Sequence, residues 1–295
     1  GNRSGIQILP PPDDAPRAPV EMAEHPFVLE FPIRVTHLWP ITNHRRMREH
    51  RNCTRLLNVL LAGRTSFQPP RSDDFWARVP RGDNDFNVEW VQSYFFAKLG
   101  PSIVDELSQP ASERLEEVEP EEYYKTGGHD GKGLRVPADL DRSICLYLRL
   151  SATNRAKFDR AAFWMDLGSR QWTISMSASF ASLVSAVESL TNRGTSHKVY
   201  CNDCKRDHQH EVPGATERFR AFFEEYAPSA ALTGSRSEMY SLRSGIVHGG
   251  ELMQLDQDIA FGWDPPWEKQ RELHNELWGL TRVAFRNWLK SPPAT

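Results

Sequence analysis

From about Val136 onward the chain repeats one signal, apolar side chains at helical spacing cut by short breaks, and this constrains its fold more than any other feature. In "NRAKFDRAAFWMDLG", Ala156, Phe158, Ala162, Phe163 and Leu167 form one stripe, with Gly168 expected to end the helix. "WTISMSASFASLVSAVESLTN" continues with Ile174, Ala178, Leu183, Val187 and Leu190. "TERFRAFFEEYAP" offers Thr216 as a cap, an aromatic stripe of Phe219, Phe222, Phe223 and Tyr226, and a stop at Pro228. "SRSEMYSLRSGIVHGG" runs from a Ser cap to a Gly-Gly stop. Leu273, Leu277, Leu280, Val283, Ala284 and Leu289 trace a broad face on a last helix. Four or five antiparallel helices in residues 136–295 predict a helical bundle.

The first part reads differently. Residues 1–25 are Pro-rich and acidic and are expected to form a flexible arm. Strands are expected at Phe27–Trp39, Arg55–Gly63 and Asn87–Leu99, separated by the turn signals "FQPPRSDD" and "VPRGDND". Residues 26–135 are thus read as a β-rich or mixed domain of unknown role. The acidic, then glycine-rich Glu113–Gly133 is read as a loop at the boundary. The fold class expected is α+β, an N-terminal β-containing domain followed by the bundle.

With 295 residues, 39% of them apolar, the chain can bury a sizeable core. A formal net charge of -3 excludes a global basic field, so any nucleic-acid surface must be local. The longest apolar run is too short to span a bilayer, and the first residues lack the apolar core of a signal peptide. Four cysteines make no disulfide scaffold, and a reducing cytoplasm is expected.

The stretch "YSLRSGIVHGG", Tyr240–Gly250, carries the chemistry. Basic residues before glycine are ordinary helix-ending chemistry. Five residues advance a helix by about 140° beyond a full turn, so Arg243 and His248 do not stack, though the long Arg stem reaches toward the last turn. The helix end favours imidazolium and the guanidinium opposes it, a balance suited to acid–base work. Ser244 lies at i,i+4 to His248. With no G-x-S-x-G elbow and no orienting acid nearby, it is read as a hydroxyl that positions the imidazole, not as a nucleophile.

The pattern Tyr240-x-x-Arg243-Ser244-x-x-Val247-His248-Gly249, ending a helix in a C-terminal bundle, resembles the HEPN superfamily, most closely its Apea-like, abortive-infection branch. The resemblance covers about Val136 to Leu289. It implies a metal-independent endoribonuclease in bacterial anti-phage defence or stress response. In that reading the RNA 2′-hydroxyl attacks the adjacent phosphate, His248 acts as acid or base, and Arg243 stabilises charge on the phosphoryl oxygens. It also implies a supporting acidic residue at Glu188 and a homodimer whose two motifs face each other; Tyr240, like Ser244, lies closer in helical angle to His248 than Arg243 does. One branch carries a modified Tyr two residues after the His; Gly250 stands there in this chain. The alternative is a non-catalytic HEPN-like module for RNA or nucleotide binding, or for assembly.

No cofactor is expected for catalysis. "CNDCKRDHQH" gathers Cys201, Cys204, His208 and His210, a set suited to structural zinc, with His197 or water as a substitute ligand. The His-x-His spacing departs from the usual pattern, and a reduced, metal-free loop is the other reading. "NHRRMREHR", with Arg45, Arg46 and Arg48, is the densest basic cluster, read either as an RNA contact or as a solvated helix face. Trp263, Trp267, Trp278 and Trp288 are read as core or dimer interface rather than as base-stacking platforms.

Overall fold

The computed structural model describes residues 5–9, 28–61, 75–82, 85–91, 115–126, 135–172, 174–192, 195–228, 233–257 and 265–293. Helices dominate, joined by short strands, so the fold is broadly α+β with a helical bundle. Two compact units divide the chain. One comprises 1–54, 65–116 and 129–135; the other comprises 55–64, 117–128 and 136–295.

In the first unit, β1 (Gln7–Leu9) pairs antiparallel with β2 (Val28–Glu30). Part of the expected arm is therefore a strand. Ile6 and Ile8 alternate with Gln7, whose amide donates to Glu30 across the ladder at 2.7 Å. The strand expected over Phe27–Trp39 is confined to β2, because Trp39 already opens helix α1 (Trp39–Leu60). Strands β3 (Phe75–Gly82) and β4 (Asp85–Val91) form a second antiparallel pair. The Asn87–Leu99 strand holds as far as Val91; the remainder lies outside the described residues.

Of the expected strand at Arg55–Gly63, Arg55–Leu60 is the C-terminal part of α1 instead, and residues 62–63 lie outside the described residues. Leu56, Leu57, Leu60 and Leu61 are all at most 1% exposed, a spacing that places them on one helical face. The expected loop Glu113–Gly133 contains β5 (Glu116–Val118) and helix α2 (Pro120–Thr126). Pro120 suits a first helical turn and Glu121 and Glu122 suit its dipole. What orders this segment is two buried tyrosines: Tyr123 donates to the Leu61 carbonyl at 3.2 Å and Tyr124 to that of Leu60 at 2.7 Å, satisfying the open end of α1. Strand β6 (Arg135–Pro137) pairs with β5.

The bundle follows. Helix α3 (Leu140–Leu148) leads to α4 (Ala152–Gln171), α5 (Met176–Leu190), the hairpin β7 (Thr195–Cys201) and β8 (Arg206–Val212), α6 (Ala215–Tyr226), α7 (Thr233–Val247), the short α8 (Gln254–Gln257) and α9 (Pro265–Lys290). Helix α5 is the hub. It packs on α4, α6, α7, α8 and α9, and its buried residues, Phe180, Leu183, Val184, Val187 and Leu190 among them, face nearly every direction. A helix apolar on nearly all sides belongs inside a core. Phe158, Phe219, Phe223, Leu277, Phe285 and Trp288 close the core around it.

Three expected helix boundaries differ. Gly168 lies inside α4, where a Cβ would sit 3.2 Å from the Ser179 carbonyl and 3.3 Å from Leu183. It lets α4 and α5 approach closely rather than ending α4. Helix α6 is capped at Gly214, with Thr216 already in the first turn. Helix α7 is under way by Thr233, before the expected Ser cap. Asp139 precedes α3 but makes no capping bond; it accepts instead from Arg286 at 2.6 and 3.1 Å. Trp288 is fully buried, Trp267 and Trp278 are half-buried, and Trp263 lies outside the described residues. No helix among the described residues is long and apolar enough to cross a membrane.

Candidate active site

Helix α7 sets the geometry of Tyr240, Arg243 and Ser244. Its buried face carries Met239 and Arg236, exposed 0% and 1%. Arg236 donates to the Ala227 carbonyl at 3.3 Å and so closes the C-terminus of α6. The sequence reading missed this arginine, because nothing local distinguishes it from a solvated one. One turn later the Tyr240 ring packs on Phe219 of α6, centroids 5.4 Å apart.

The end of α7 is a Schellman closure. Gly250 N–H donates to the Gly245 carbonyl at 2.8 Å, and Gly249 N–H to that of Ile246 at 3.1 Å. Gly249 takes the left-handed conformation this requires, φ 72°. His248 is thus the capping residue, its own N–H donating to Ser244 at 3.0 Å. Its side chain is exposed, and no described residue hydrogen-bonds its imidazole. Ser244 therefore meets His248 through its backbone carbonyl. Hydroxyl positioning of the ring, expected from the i,i+4 spacing, is not among the described contacts.

Glu188, in the last turn of α5, unites the other residues. Its Oε2 accepts from Arg243 Nη2 at 2.9 Å and its Oε1 from the Tyr240 hydroxyl at 2.8 Å. Both charged side chains are largely covered, Arg243 19% and Glu188 29% exposed. Burial raises the Tyr240 hydroxyl above its ordinary pKa, and the bond to Glu188 adds to this, with Arg243 opposing. One edge of the guanidinium is thereby fixed. Of its five N–H donors, Nε–H is buried without a described partner.

The N-terminal end of α5 is held just as firmly. Asp256 accepts from Ser175 Oγ at 2.9 Å, Met176 N–H at 2.9 Å and Ser177 N–H at 2.7 Å. Burial works against the Asp256 charge, but these donors outweigh it and hold the carboxyl below its usual range. A cleft of about 300 Å³ lies between α7 and α9, bordered by Ser241, Leu242, Lys269 and Gln270; neither Arg243 nor His248 lines it.

The other expected residues fall elsewhere. Cys201, His208 and His210 stand in the β7–β8 hairpin and Cys204 in its turn, but the side chains of the first three lie outside the described residues. Among the described residues no group of three His, Cys, Asp or Glu is placed to hold a metal. Arg45, Arg46 and Arg48 lie on α1 in the first unit, with donors engaged by the Arg34 carbonyl, Asn43 and Glu49.

No family model, no curated protein and no solved structure matches the chain.

Proposed function

We propose that the chain is a metal-independent endoribonuclease of HEPN type, acting in bacterial defence or stress response, with Arg243 and His248 as its reacting pair. The observation that carries this reading is the anchoring of Arg243 by Glu188, with Tyr240 alongside, one turn before an exposed His248 on a fixed backbone. A guanidinium held by Glu188, five residues before an exposed imidazole on the same helix end, offers the two groups phosphodiester transesterification needs: positive charge for the phosphoryl oxygens and a proton carrier.

In the proposed step the 2′-oxygen attacks phosphorus and loses its proton to a histidine. The bond from phosphorus to the 5′-oxygen breaks, and that oxygen takes a proton from a second imidazolium. The products are a 2′,3′-cyclic phosphate and a 5′-hydroxyl. Because one histidine cannot be base and acid at once, a homodimer that brings two His248 side chains to one cleft belongs to the proposal.

The same ion pair favours a second reading. A guanidinium that spends its charge on Glu188 also serves as a strut between α5 and α7, which suits a non-catalytic binding or assembly module. Incubating the purified chain with single-stranded RNA in EDTA separates the two. The nuclease reading expects cyclic-phosphate ends, with His248→Ala and Arg243→Lys lowering the rate by about 10²-fold or more. Absence of cleavage, or equal rates in wild type and both variants, overturns it.

A further inference from the structure

We infer that the first turns of α1, with the loop before them, dock on an anionic lipid surface. The observation is a set of large apolar side chains left in water. Val35, Leu38, Trp39, Ile41 and Met47 are all exposed, Val35 at 58% and Trp39 at 68%. So close together in the chain, they form a patch rather than a scatter of single residues. All five belong to the first unit.

The local fold keeps them there. Thr42 is 2% exposed, and its Oγ1 accepts from the Thr36 N–H at 2.9 Å and donates to the Thr36 carbonyl at 3.1 Å. The Leu38 carbonyl takes the Ile41 and Thr42 N–H groups, both at 3.1 Å, which starts the helix. Polar bonds therefore tie the loop back onto α1, while Val35, Leu38 and Trp39 remain outside. Charge surrounds the patch. Between Phe31 and Thr54 stand Arg34, Arg45, Arg46, Arg48 and Arg51 against one carboxylate, Glu49, in a chain of formal net charge -3. From Ile41 to Arg51 the exposed positions of α1 are Ile41, His44, Met47, Arg48 and Arg51, a recurrence every three or four residues that marks one helical face. Each is apolar or basic. Arg45 donates to an uncharged acceptor, the Arg34 carbonyl, at 3.2 Å. Arg48 reaches Glu49 at 3.2 Å, an exposed pair that water already weakens.

An apolar tip ringed by arginine matches the boundary of a bilayer with anionic headgroups. Apolar side chains enter it by about 5–10 Å, Trp lies at headgroup level, and guanidinium meets lipid phosphate and carboxylate. Such a contact lies on the membrane and does not span it. Single-stranded RNA is the competing polyanion. It would stack on Trp39, but Val35, Leu38, Ile41 and Met47 offer a base no π face, whereas the acyl boundary covers all five.

Co-sedimentation of the full-length chain with lipid vesicles tests this. Phosphatidylcholine vesicles with about one-third phosphatidylserine are expected to bind at least about tenfold more tightly than pure phosphatidylcholine, and added salt should weaken that binding. The double variants Trp39→Ala/Ile41→Ala and Arg48→Gln/Arg51→Gln are each expected to lose about tenfold or more. Both should keep the wild-type circular dichroism signal, because the replaced side chains are exposed. Ile174→Ala removes an equally exposed apolar side chain from the other unit and is expected to bind as wild type. No sedimentation with the anionic vesicles, equal affinity for anionic and neutral ones, or wild-type binding by either double variant overturns the proposal. So does binding of a fluorescent single-stranded RNA that both double variants abolish while the anionic vesicles stay unbound, a result that gives the patch to RNA. Vesicle binding is read without RNA cleavage, so its outcome is independent of the nuclease reading.

Discussion

Replacing Glu188 is the sharpest probe of the site. Its carboxylate accepts two hydrogen bonds from α7, one from guanidinium and one from phenol, and both donors are more than half covered. A hydrogen bond to a charged group contributes about 1.5–3 kcal/mol. At 19% and 29% exposure, water restores part of what is lost. Glu188→Ala is therefore expected to destabilise the bundle by about 2–3 kcal/mol, and Glu188→Gln, which keeps an acceptor for Tyr240, by about 1 kcal/mol. Urea unfolding followed by the helical circular dichroism signal gives these values. A cycle with Arg243→Ala isolates the pair, and a coupling of about 1–2 kcal/mol is expected. A coupling within about 0.3–0.5 kcal/mol of zero, the level of independent sites, would refute the argument that Glu188 holds the guanidinium.

Three further outcomes follow from other contacts. His274 is buried against Trp172, and burial pulls its pKa down from 6.5 to about 4. Because the unfolded chain takes up this proton first, the neutral ring stabilises the fold fully above pH 6.5, and about 3 kcal/mol is lost as pH falls from there to 4; in His274→Phe that slope should vanish from the stability–pH curve. Gly249→Ala places a Cβ in the left-handed region and is expected to cost about 1–2 kcal/mol by urea denaturation, since only the backbone conformation resists it. Asp256→Ala removes three donors' partner at the start of α5 and is expected to cost about 1–2 kcal/mol, whereas wild type should lose this contribution only in acid, as pH falls through the lowered Asp256 pKa.

The bundle was legible where a helix has one wet face. Helices α6 and α9 show apolar stripes broken by charge; α6 was placed close to its observed position, while α9 begins at Pro265, eight residues before its first stripe residue, Leu273. Leu56–Leu61 was misread as a strand because a short apolar run carries little period information. The decisive spacing, Leu56 and Leu57 followed by Leu60 and Leu61, emerges only when the run is joined to the polar turns before it. Gly168 was assigned the commonest role of a glycine near a helix end; its actual role depends on α5, which no local window contains. At the site, the family resemblance nominated Arg243, His248, Tyr240 and Glu188, and the structure joins Glu188 to Tyr240 and Arg243. Asp256 and Arg236 went unseen because each works on a helix end distant in sequence or hidden from it.

The closure at Gly249 and Gly250 bears on how cheaply His248 can be recruited. Backbone hydrogen bonds flank the residue on both sides, so its main chain is already ordered before anything binds. Only the torsions about two side-chain bonds remain to be frozen. A molecule that engages the ring gives up at most about 1–2 kcal/mol of side-chain entropy and no loop-ordering cost, so its first contact with this tip can proceed without waiting for the protein to rearrange.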